Sequence, residues 1–444
     1  MILSFIVFAL FSNIALITDA LGLFGSIVPV TAVSSAVFLF FVCFPSFRRF
    51  PQVKTKRIQR GVVLLTGFLV TVVIDAAALA AYWIVYCNIL CERSYWNNAV
   101  ITDIVIAVVA GNIIFWNGII RVYISSRQLG LKWRVIVIVC GMMPVVHLVV
   151  LGKIISLTSR EYREEDARFK LNMSRKADLV CATKYPLLMV HGVFFRDFKF
   201  FNYWGRVPDD LSENGATIYY GEQQSAASVD ICGKELADRI REIVRKTGCE
   251  KVNIIAHSKG GLDSRCAITK YGCAPYVASL TTVNTPHRGC QFADYLLNKA
   301  PQKLKDTVAS QYNTALRKAG DKDPDFIAAV SDLTQSACEK FNASCPDSPD
   351  VYYQSVGSKS VSAAGGRFPL NLSYHLVKYF DGPNDGLVAL PSMKWGDKFT
   401  YVTPLKQRGI SHGDMIDLNR ENIDGFDVRE TYVELVSNLK QKGL

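Results

Sequence analysis

Apolar residues dominate the first third of the chain, in runs of about twenty residues separated by short polar or basic stretches. A helical run of this length can cross the ~30 Å hydrocarbon core of a bilayer. The first run lacks the basic start and small-residue cleavage site of a signal peptide, so it is expected to be a retained helix or a re-entrant segment. We predict five spans, at residues 2–21, 26–46, 61–86, 99–119 and 135–156.

From Tyr185 onward, short apolar runs alternate with amphipathic stretches. This alternation is typical of βα units and a mainly parallel sheet. Strands are predicted at 187–190, 252–255, 280–283 and 351–356, and a helix at 233–247. The predicted organisation is a transmembrane helical domain at 1–157, a linker or juxtamembrane helix at 158–183, and an α/β domain at 184–444 with a helical insertion at about 290–348.

The net charge of +11 belongs mainly to the apolar part of the chain. Basic residues cluster in two loops there, at 48–60 and 121–134. By the positive-inside rule both loops are cytoplasmic, and an odd number of spans then places the C-terminal domain on the extracytoplasmic side. The basicity is therefore attributed to membrane topology, so membrane lipids are expected partners and nucleic acid is not.

The twelve cysteines of the chain, and three aspartates in its apolar part, require an explanation. An oxidising compartment would permit disulfides in the C-terminal domain, where Cys338 and Cys345 are the expected local pair. The cysteine and histidine spacings typical of a zinc site do not occur in the sequence. Asp19, Asp75 and Asp103 lie at or near membrane depth, where acids mark either a substrate or ion route or hydrogen bonds between helices.

A candidate nucleophile follows the predicted strand at 252–255, in the segment Ala256-His257-Ser258-Lys259-Gly260. A serine that attacks a carbonyl carbon needs a tight turn to raise its hydroxyl above the sheet, so small residues flank it two positions away on each side. Ala256 and Gly260 meet this need, with alanine in place of the first glycine of G-x-S-x-G. The pentapeptide is a weak signal alone, but its position between a strand and a helix start makes Ser258 the predicted nucleophile.

The partners of Ser258 follow from chain order, which in this arrangement is serine, acid, histidine. Of the six histidines, only His412 follows the candidate acids, so it is the predicted general base. Asp385 lies in a turn 27 residues before His412 and is the predicted acid that orients the imidazole. Asp381 is the close competitor, and either aspartate could instead cap the turn.

A tetrahedral intermediate needs two backbone N–H donors. One is predicted to be the amide of Lys259, directly after the nucleophile, and the other that of Val193, in the loop after the first strand. Gly192 allows the chain to turn this second amide towards the pocket, and His191 precedes it. The alternative for His191-Gly192 is an ordinary turn at a strand end.

Further matches extend along the chain in a fixed order: Val190-His191-Gly192, Pro208 to Leu211 with Gly215-Ala216, Lys251 to Leu262, Thr281 to Gly289, Phe341-Asn342, Asn384 to Val388, and Ser411 to Asp414. Together they resemble the bacterial true lipases, the secreted triacylglycerol lipases of family I. The resemblance covers about residues 185–430 and is silent on the apolar part. It implies an α/β-hydrolase fold, ester hydrolysis by the triad of Ser258, Asp385 and His412, and a role for the 290–348 insertion as a cap or lid over an acyl pocket.

The same resemblance raises the question of a structural calcium ion. Members of that family often hold calcium through an aspartate two residues after the catalytic histidine and another upstream of the catalytic acid. Asp414 fits the first position, whereas the stretch before Asp385 offers little but Asp381. The chemistry itself requires no cofactor, so calcium is at most a structural addition at Asp414.

The sequence therefore predicts a membrane-anchored serine ester hydrolase, a lipase or carboxylesterase, whose substrate is an acyl ester or lipid at the outer membrane surface. Two other hypotheses use the same domain. One is a membrane acyltransferase or deacylase of lipid-anchored substrates, in which the acyl group on serine passes to an alcohol or lipid. The other is a non-catalytic scaffold, which the presence of every expected catalytic residue type disfavours.

Overall fold

The computed structural model describes the chain except for residues 86–96, 142, 194–201, 300, 319–323, 367–369 and 404–407. The chain divides into two compact units, Met1–Leu171 and Asn172–Leu444. The first unit is helical, and the second contains all the described strands.

The described part of the first unit contains the α-helices α1 (Ile2–Ser12), α2 (Ile14–Ala20), α3 (Ile27–Cys43), α4 (Val53–Trp83), α5 (Asn98–Ser125), α6 (Gly130–Cys140) and α7 (Pro144–Ser174), the last of which extends into the second unit. Among the described residues, three helical segments are long and apolar enough to cross a membrane: Phe24–Cys43, which includes α3, and the helices α4 and α5. The pair α1 and α2 qualifies as a fourth only if it is taken as one span bent by 66°.

Two of the five predicted spans are interrupted in the structure. The run at 2–21 breaks between Ser12 and Ile14, and the run at 135–156 is divided because α6 ends at Cys140 and α7 begins at Pro144. A proline lacks the N–H that would continue a helix but is well suited to start one. Five continuous spans are therefore not confirmed. The predicted linker is helical as far as Ser174, the end of α7.

The three aspartates of the apolar part all accept hydrogen bonds from other helices or their flanks. Asp75 accepts from the Ser12 hydroxyl at 2.6 Å and the Asn13 amide at 2.7 Å, at the break between α1 and α2. Asp103 accepts from the backbone N–H of Leu16 at 3.3 Å, and Asp19 accepts from the Tyr82 hydroxyl at 2.8 Å. Of the two hypotheses for these acids, the contacts favour hydrogen bonding between helices.

The second unit is built on one six-stranded sheet with the strand order β2-β1-β3-β4-β5-β6. Every neighbouring pair is parallel, which confirms the predicted α/β class with a mainly parallel sheet for this part of the chain. The central strands β1, β3 and β4 are buried along their whole length, as expected for a parallel sheet covered on both faces. The strands are β1 (Leu187–Val190), β2 (Ile218–Tyr220), β3 (Val252–His257), β4 (Val277–Val283), β5 (Tyr352–Gly357) and β6 (Lys398–Tyr401).

Helices connect the strands and supply the rest of the core. One apolar cluster joins β1 and β3 to α9 through Leu236 and Ile240, while another joins them to α17 through Tyr432 and Val436. The predicted insertion contains α11 to α14. The helices of this unit are α8 (Val207–Glu213), α9 (Val229–Thr247), α10 (Gly260–Thr269), α11 (Gln291–Lys299), α12 (Gln302–Lys318), α13 (Phe326–Ser331), α14 (Gln335–Ser344), α15 (Leu370–Asp381), α16 (Leu390–Met393) and α17 (Val428–Gln441).

The expected disulfide between Cys338 and Cys345 is wrong, because both thiols are free and buried. Cys338 lies in α14 and Cys345 directly follows that helix. Seven positions along a helix correspond to a rise of roughly 10 Å, whereas a disulfide needs Cα atoms about 4.4–6.8 Å apart. The Cys338 thiol faces the carbonyl oxygens of Pro286 and Asp332 instead.

Candidate active site

The site lies at the carboxyl edge of the sheet, where Ser258 connects β3 to α10. Ser258 has a φ of +55°, a left-handed conformation that is costly for a residue with a side chain. Its N–H donates to the carbonyl of Val283 at 2.9 Å, which ties the turn to β4. A Cβ atom on Gly260 would lie 2.4 Å from the His191 carbonyl oxygen, so only glycine fits there. The structure thus has the strained strand-to-helix turn that the sequence predicts.

Asp385 and His412 are brought together, although 27 residues separate them. The Asp385 Oδ2 atom lies 2.6 Å from His412 Nδ1, and the His412 backbone N–H donates to the Asp385 carbonyl at 2.9 Å. Asp385 is fully buried. The His412 ring lies 4.4 Å from the ring of His257, the residue before Ser258. The imidazole is therefore held by the Asp385 carboxylate and lies against the ring of His257, the residue that precedes the nucleophile.

Asp381, the competing acid, has a different role. Its carboxylate accepts the backbone N–H groups of Gln291 at 2.9 Å and Phe292 at 3.1 Å, at the start of α11. A carboxylate in this place satisfies helix donors that have no partner within the helix and complements the positive end of the helix dipole. The contacts therefore place Asp385, and not Asp381, against His412.

His191 and Gly192 line the same edge after β1. Both ring nitrogens of the buried His191 face carbonyl oxygens, that of Gly192 at 2.9 Å and that of Gln223 at 3.0 Å. A protonated ring donates a hydrogen bond to both carbonyl oxygens, whereas a neutral ring donates to only one of them. A Cβ atom on Gly192 would lie 2.8 Å from the Ser258 Cβ, so glycine permits the close approach of this loop to the nucleophile. Val193, whose amide is the second predicted oxyanion donor, directly follows Gly192 in this loop.

Lys259 combines an amide at the helix start with a buried charged side chain. It lies at the N-terminus of α10, where amides lack partners within the helix. Its ammonium group donates to Asp263 Oδ1 at 2.6 Å, and both side chains are almost completely buried. Burial opposes the charge on Lys259, but the Asp263 carboxylate and the Cys232 thiol together outweigh the effect of burial and raise the pKa of Lys259. The side chain is thus part of an internal ion pair, and the amide remains as the predicted donor.

His257 lies directly beneath the site and is fully buried. Burial lowers its pKa well below the ordinary value, and the neighbouring His412 lowers it further. The ring is therefore neutral at physiological pH. Its Nδ1 atom lies 2.7 Å from the hydroxyl of Tyr203. Ala256, one position earlier, is fully buried within β3, which leaves no room for a larger residue.

The contacts of Asp414 do not fit a calcium site. One carboxylate oxygen accepts from the Ser411 backbone N–H at 2.8 Å and from its hydroxyl at 2.7 Å. The other accepts from Arg408 at 3.2 Å, and a bound arginine opposes a cation at the same oxygen. Asp381 is occupied at α11. Within the described part of the chain, no group of three or more acidic, histidine or cysteine side chains could hold a metal ion.

Two residues at the site were not assigned a role from the sequence. Asn284 follows β4 with a φ of +48°, and its side-chain amide donates to Asp385 Oδ2 at 2.6 Å and to the Ser358 hydroxyl at 2.8 Å. Tyr203 bonds His257 and the N–H of Gly192. An Asn directly after a predicted strand is a usable signal, because Asn tolerates left-handed backbone conformations. Tyr203 has no comparable local signal.

A strained serine turn, a buried aspartate–histidine pair and a parallel sheet define a class: this is the arrangement of α/β serine hydrolases. A family model described as "Putative serine esterase (DUF676)" matches residues 213–336. The matched range includes Ser258 and Lys259 and ends before Asp385 and His412.

Several known lipases are similar to this chain. A triacylglycerol lipase of Pseudarthrobacter phenanthrenivorans is 36% identical over 184 residues, which cover 38% of this chain and 56% of that protein. One of Vibrio cholerae is 29% identical over 288 residues, covering 59% of this chain and 89% of that protein. The chain thus spans just over half the length of the first of these relatives. The crystal structure of the mature Bacillus licheniformis lipase BlEst2 is 23% identical, with a TM-score of 0.43 over 57% of this chain and 92% of that one.

Proposed function

We propose that this protein is a membrane-anchored serine ester hydrolase in which Ser258, His412 and Asp385 form the catalytic triad. The observation that carries the proposal is the 2.6 Å contact between buried Asp385 and His412, beside a serine held at a φ of +55°. Strain of this kind persists only where the surrounding structure enforces it, and it is concentrated at functional sites. The match to a serine esterase family and the similarity to triacylglycerol lipases support the same reaction class.

The geometry suggests the order of steps. His412 removes the proton of the Ser258 hydroxyl while the serine oxygen attacks the acyl carbon of the ester. Asp385 fixes the ring with Nδ1–H towards the carboxylate and stabilises the imidazolium that forms. The amides of Lys259 and Val193 stabilise the oxyanion. His412 then protonates the leaving alcohol, and a water molecule, activated in the same way, releases the acid from the acyl-serine.

The proposed substrates are carboxylic esters with an acyl chain, presented at a membrane surface. The lipase relatives support this substrate class. The long apolar helices α4 and α5 support anchoring by length and composition, and would keep the hydrolase beside lipid. We place the catalytic unit on the extracytoplasmic side, because the two basic loops are assigned to the cytoplasm and the segment from α6 into α7 is taken to cross the membrane.

Hydrolysis of p-nitrophenyl esters of increasing chain length by the full-length protein in detergent tests the proposal. Ser258→Ala is expected to reduce kcat by about 10⁴-fold or more, because the nucleophile is lost. Ser264→Ala is a matched control, since this serine lies in α10, just after the Ser258 turn, and its hydroxyl donates to the Gly260 carbonyl at 2.7 Å. Equal activity of the wild type and Ser258→Ala, or absence of hydrolysis by the wild type, would contradict the proposal.

A further inference from the structure

Tyr203 connects the loop after β1 to the strand that carries the nucleophile. Its side chain is 3% exposed, and its hydroxyl accepts the N–H of Gly192 at 3.1 Å. The same oxygen lies 2.7 Å from Nδ1 of His257, the residue before Ser258. A single hydroxyl thus contacts both the loop after β1 and the residue that precedes the nucleophile. None of the catalytic steps above uses it.

These contacts restrict the backbone of the loop at Gly192. Glycine has the widest range of backbone conformations, so Gly192 alone would not fix the direction of the Val193 amide. Tyr203 holds the N–H of Gly192, and the ring of His191 faces the Gly192 carbonyl at 2.9 Å. Because the peptide between Gly192 and Val193 is planar and trans, the Val193 N–H points opposite to that carbonyl. The peptide before Gly192 is therefore held by Tyr203, and the peptide after it, which carries the Val193 N–H, is held by His191.

The segment that carries Tyr203 is itself anchored to the loop of the catalytic histidine. Arg206 forms a buried bidentate ion pair with Asp417, with distances of 2.7 Å and 2.8 Å. Asp417 directly follows the short helical turn Asp414–Ile416, which begins two residues after His412. Trp204 is fully buried and packs edge to face on Tyr432 of α17. Tyr203 is thus placed by a rigid segment and has little freedom to move away from Gly192.

We propose that Tyr203 is a positioning residue for the oxyanion hole. Its hydroxyl holds the N–H of Gly192 and so orients the Val193 amide, and its contact with His257 fixes the loop relative to the strand that leads to Ser258. This inference rests on the proposed function. Tyr203 does not touch the substrate. It acts by keeping a donor in place before the oxyanion forms, so its effect belongs to the transition state and not to substrate binding.

Tyr203→Phe in the full-length protein removes the hydroxyl and keeps the buried ring. We expect kcat for an oxygen ester to fall by about 10- to 100-fold, part of the 10²–10³ that loss of a whole oxyanion donor costs, while KM changes by less than about threefold. The matched control is Tyr353→Phe. Tyr353 is also buried, and its hydroxyl also accepts a backbone N–H, that of Ser348 at 3.1 Å, away from the site.

A thionoester of the same acid and alcohol separates positioning of the oxyanion donors from general damage. Sulfur accepts weaker hydrogen bonds than oxygen, so the donors favour the oxygen ester. Tyr203→Phe is expected to lower the ratio of kcat/KM for the oxygen ester over the thionoester by about tenfold, and Tyr353→Phe is expected to leave it unchanged. Site-specific replacement of Tyr203 by 3,5-difluorotyrosine, which keeps the shape but weakens the oxygen as an acceptor, is expected to give an intermediate ratio.

The outcomes distinguish this inference from the proposed function. If the wild type shows no Ser258-dependent hydrolysis, the proposed function fails and the inference fails with it. If the wild type hydrolyses esters through Ser258 but Tyr203→Phe slows both esters equally, or neither, then only the role of Tyr203 is overturned. Should Tyr203→Phe not fold, the difluorotyrosine protein decides: an unchanged ratio overturns the inference and a lowered ratio supports it.

Discussion

At the scale of single residues, the site depends on how one carboxylate is held. Asp385 accepts four hydrogen bonds: from His412, from the Asn284 side chain, and from the backbone N–H groups of Leu387 and Val388. These bonds leave it no freedom to turn away from the imidazole. Asp385 is therefore suited to fix one tautomer of His412, with the proton on Nδ1 and a free Nε2 to act as base.

Exchange of the two competing aspartates for asparagine tests this assignment. Asp385→Asn is expected to lower kcat by about 10³- to 10⁴-fold, because an amide favours the wrong imidazole tautomer. Asp381→Asn is the control: kcat should change by less than about threefold, while loss of the charge at α11 costs about 1 kcal/mol of stability at most. Steady-state kinetics and thermal unfolding measure both. Equal loss of kcat in the two variants would contradict the assignment of Asp385.

At the scale of elements, the start of α10 combines catalysis with an internal charge. The Lys259 and Asp263 side chains are one helical turn apart, 1% and 3% exposed, and paired at 2.6 Å. Breaking a buried pair by removing one partner leaves an uncompensated charge, whereas replacing both by apolar residues is often neutral. Only the backbone of Lys259 is assigned to catalysis, so the side chain can be varied separately.

Lys259→Met is accordingly expected to destabilise the protein by about 3–5 kcal/mol, because Asp263 is left buried without its partner. The double variant with Asp263→Leu should recover most of this loss and keep ester hydrolysis within about tenfold of the wild type, since the amide at position 259 remains. Thermal unfolding and p-nitrophenyl ester kinetics provide the two measurements. A double variant that is stable but inactive would show that the ammonium group itself takes part in the chemistry.

The central elements and the turn at Ser258 could be predicted from sequence, because they rest on local patterns. The strand at 187–190 has the predicted bounds, and α9 was predicted four residues too short at its start. The edge strands β2 and β6 were missed: they have three and four residues, and none of those residues is fully buried, so no apolar run marks them. A short, partly exposed edge strand has too few residues for its hydrophobic pattern to distinguish it from the loops on either side.

The role of a site residue could not be predicted from the sequence where that role depends on contact with a residue far away along the chain. Asp381 and Asp385 are only four residues apart in the sequence, and it is their contacts with distant parts of the chain that distinguish them: Asp381 caps α11, whereas Asp385 binds His412. Tyr203 is 54 residues from His257, with which it bonds. The expected disulfide between Cys338 and Cys345 is wrong because α14 holds the two residues apart in space, although they are close in sequence.

At the scale of the whole molecule, the chain joins a helical unit with three candidate spans to an α/β unit. The proposed topology depends on the segment from α6 into α7, which is broken near Pro144. If that segment crosses the membrane, the catalytic unit faces the opposite side from the basic loops at 48–60 and 121–134. If it does not, the hydrolase and the basic loops share one side.

Reporter fusions after Leu444 test this topology in a bacterial host. Alkaline phosphatase folds only in an oxidising compartment, so a fusion is expected to be active, and a green fluorescent protein fusion exported unfolded is expected to be dark. A phosphatase fusion after residue 128, in the second basic loop, is the control and should be inactive. The reverse pattern at Leu444 would place the catalytic unit in the cytoplasm and contradict the proposed localisation.

The central claim is that Ser258 is a nucleophile activated by His412 and Asp385. Its most direct test is the reaction of the full-length protein with a fluorophosphonate, followed by mass spectrometry of the peptides. The account predicts one adduct, on Ser258, which is absent from Ser258→Ala and forms far more slowly in Asp385→Asn. An adduct on a different serine, or no adduct on the folded wild-type protein, would contradict it.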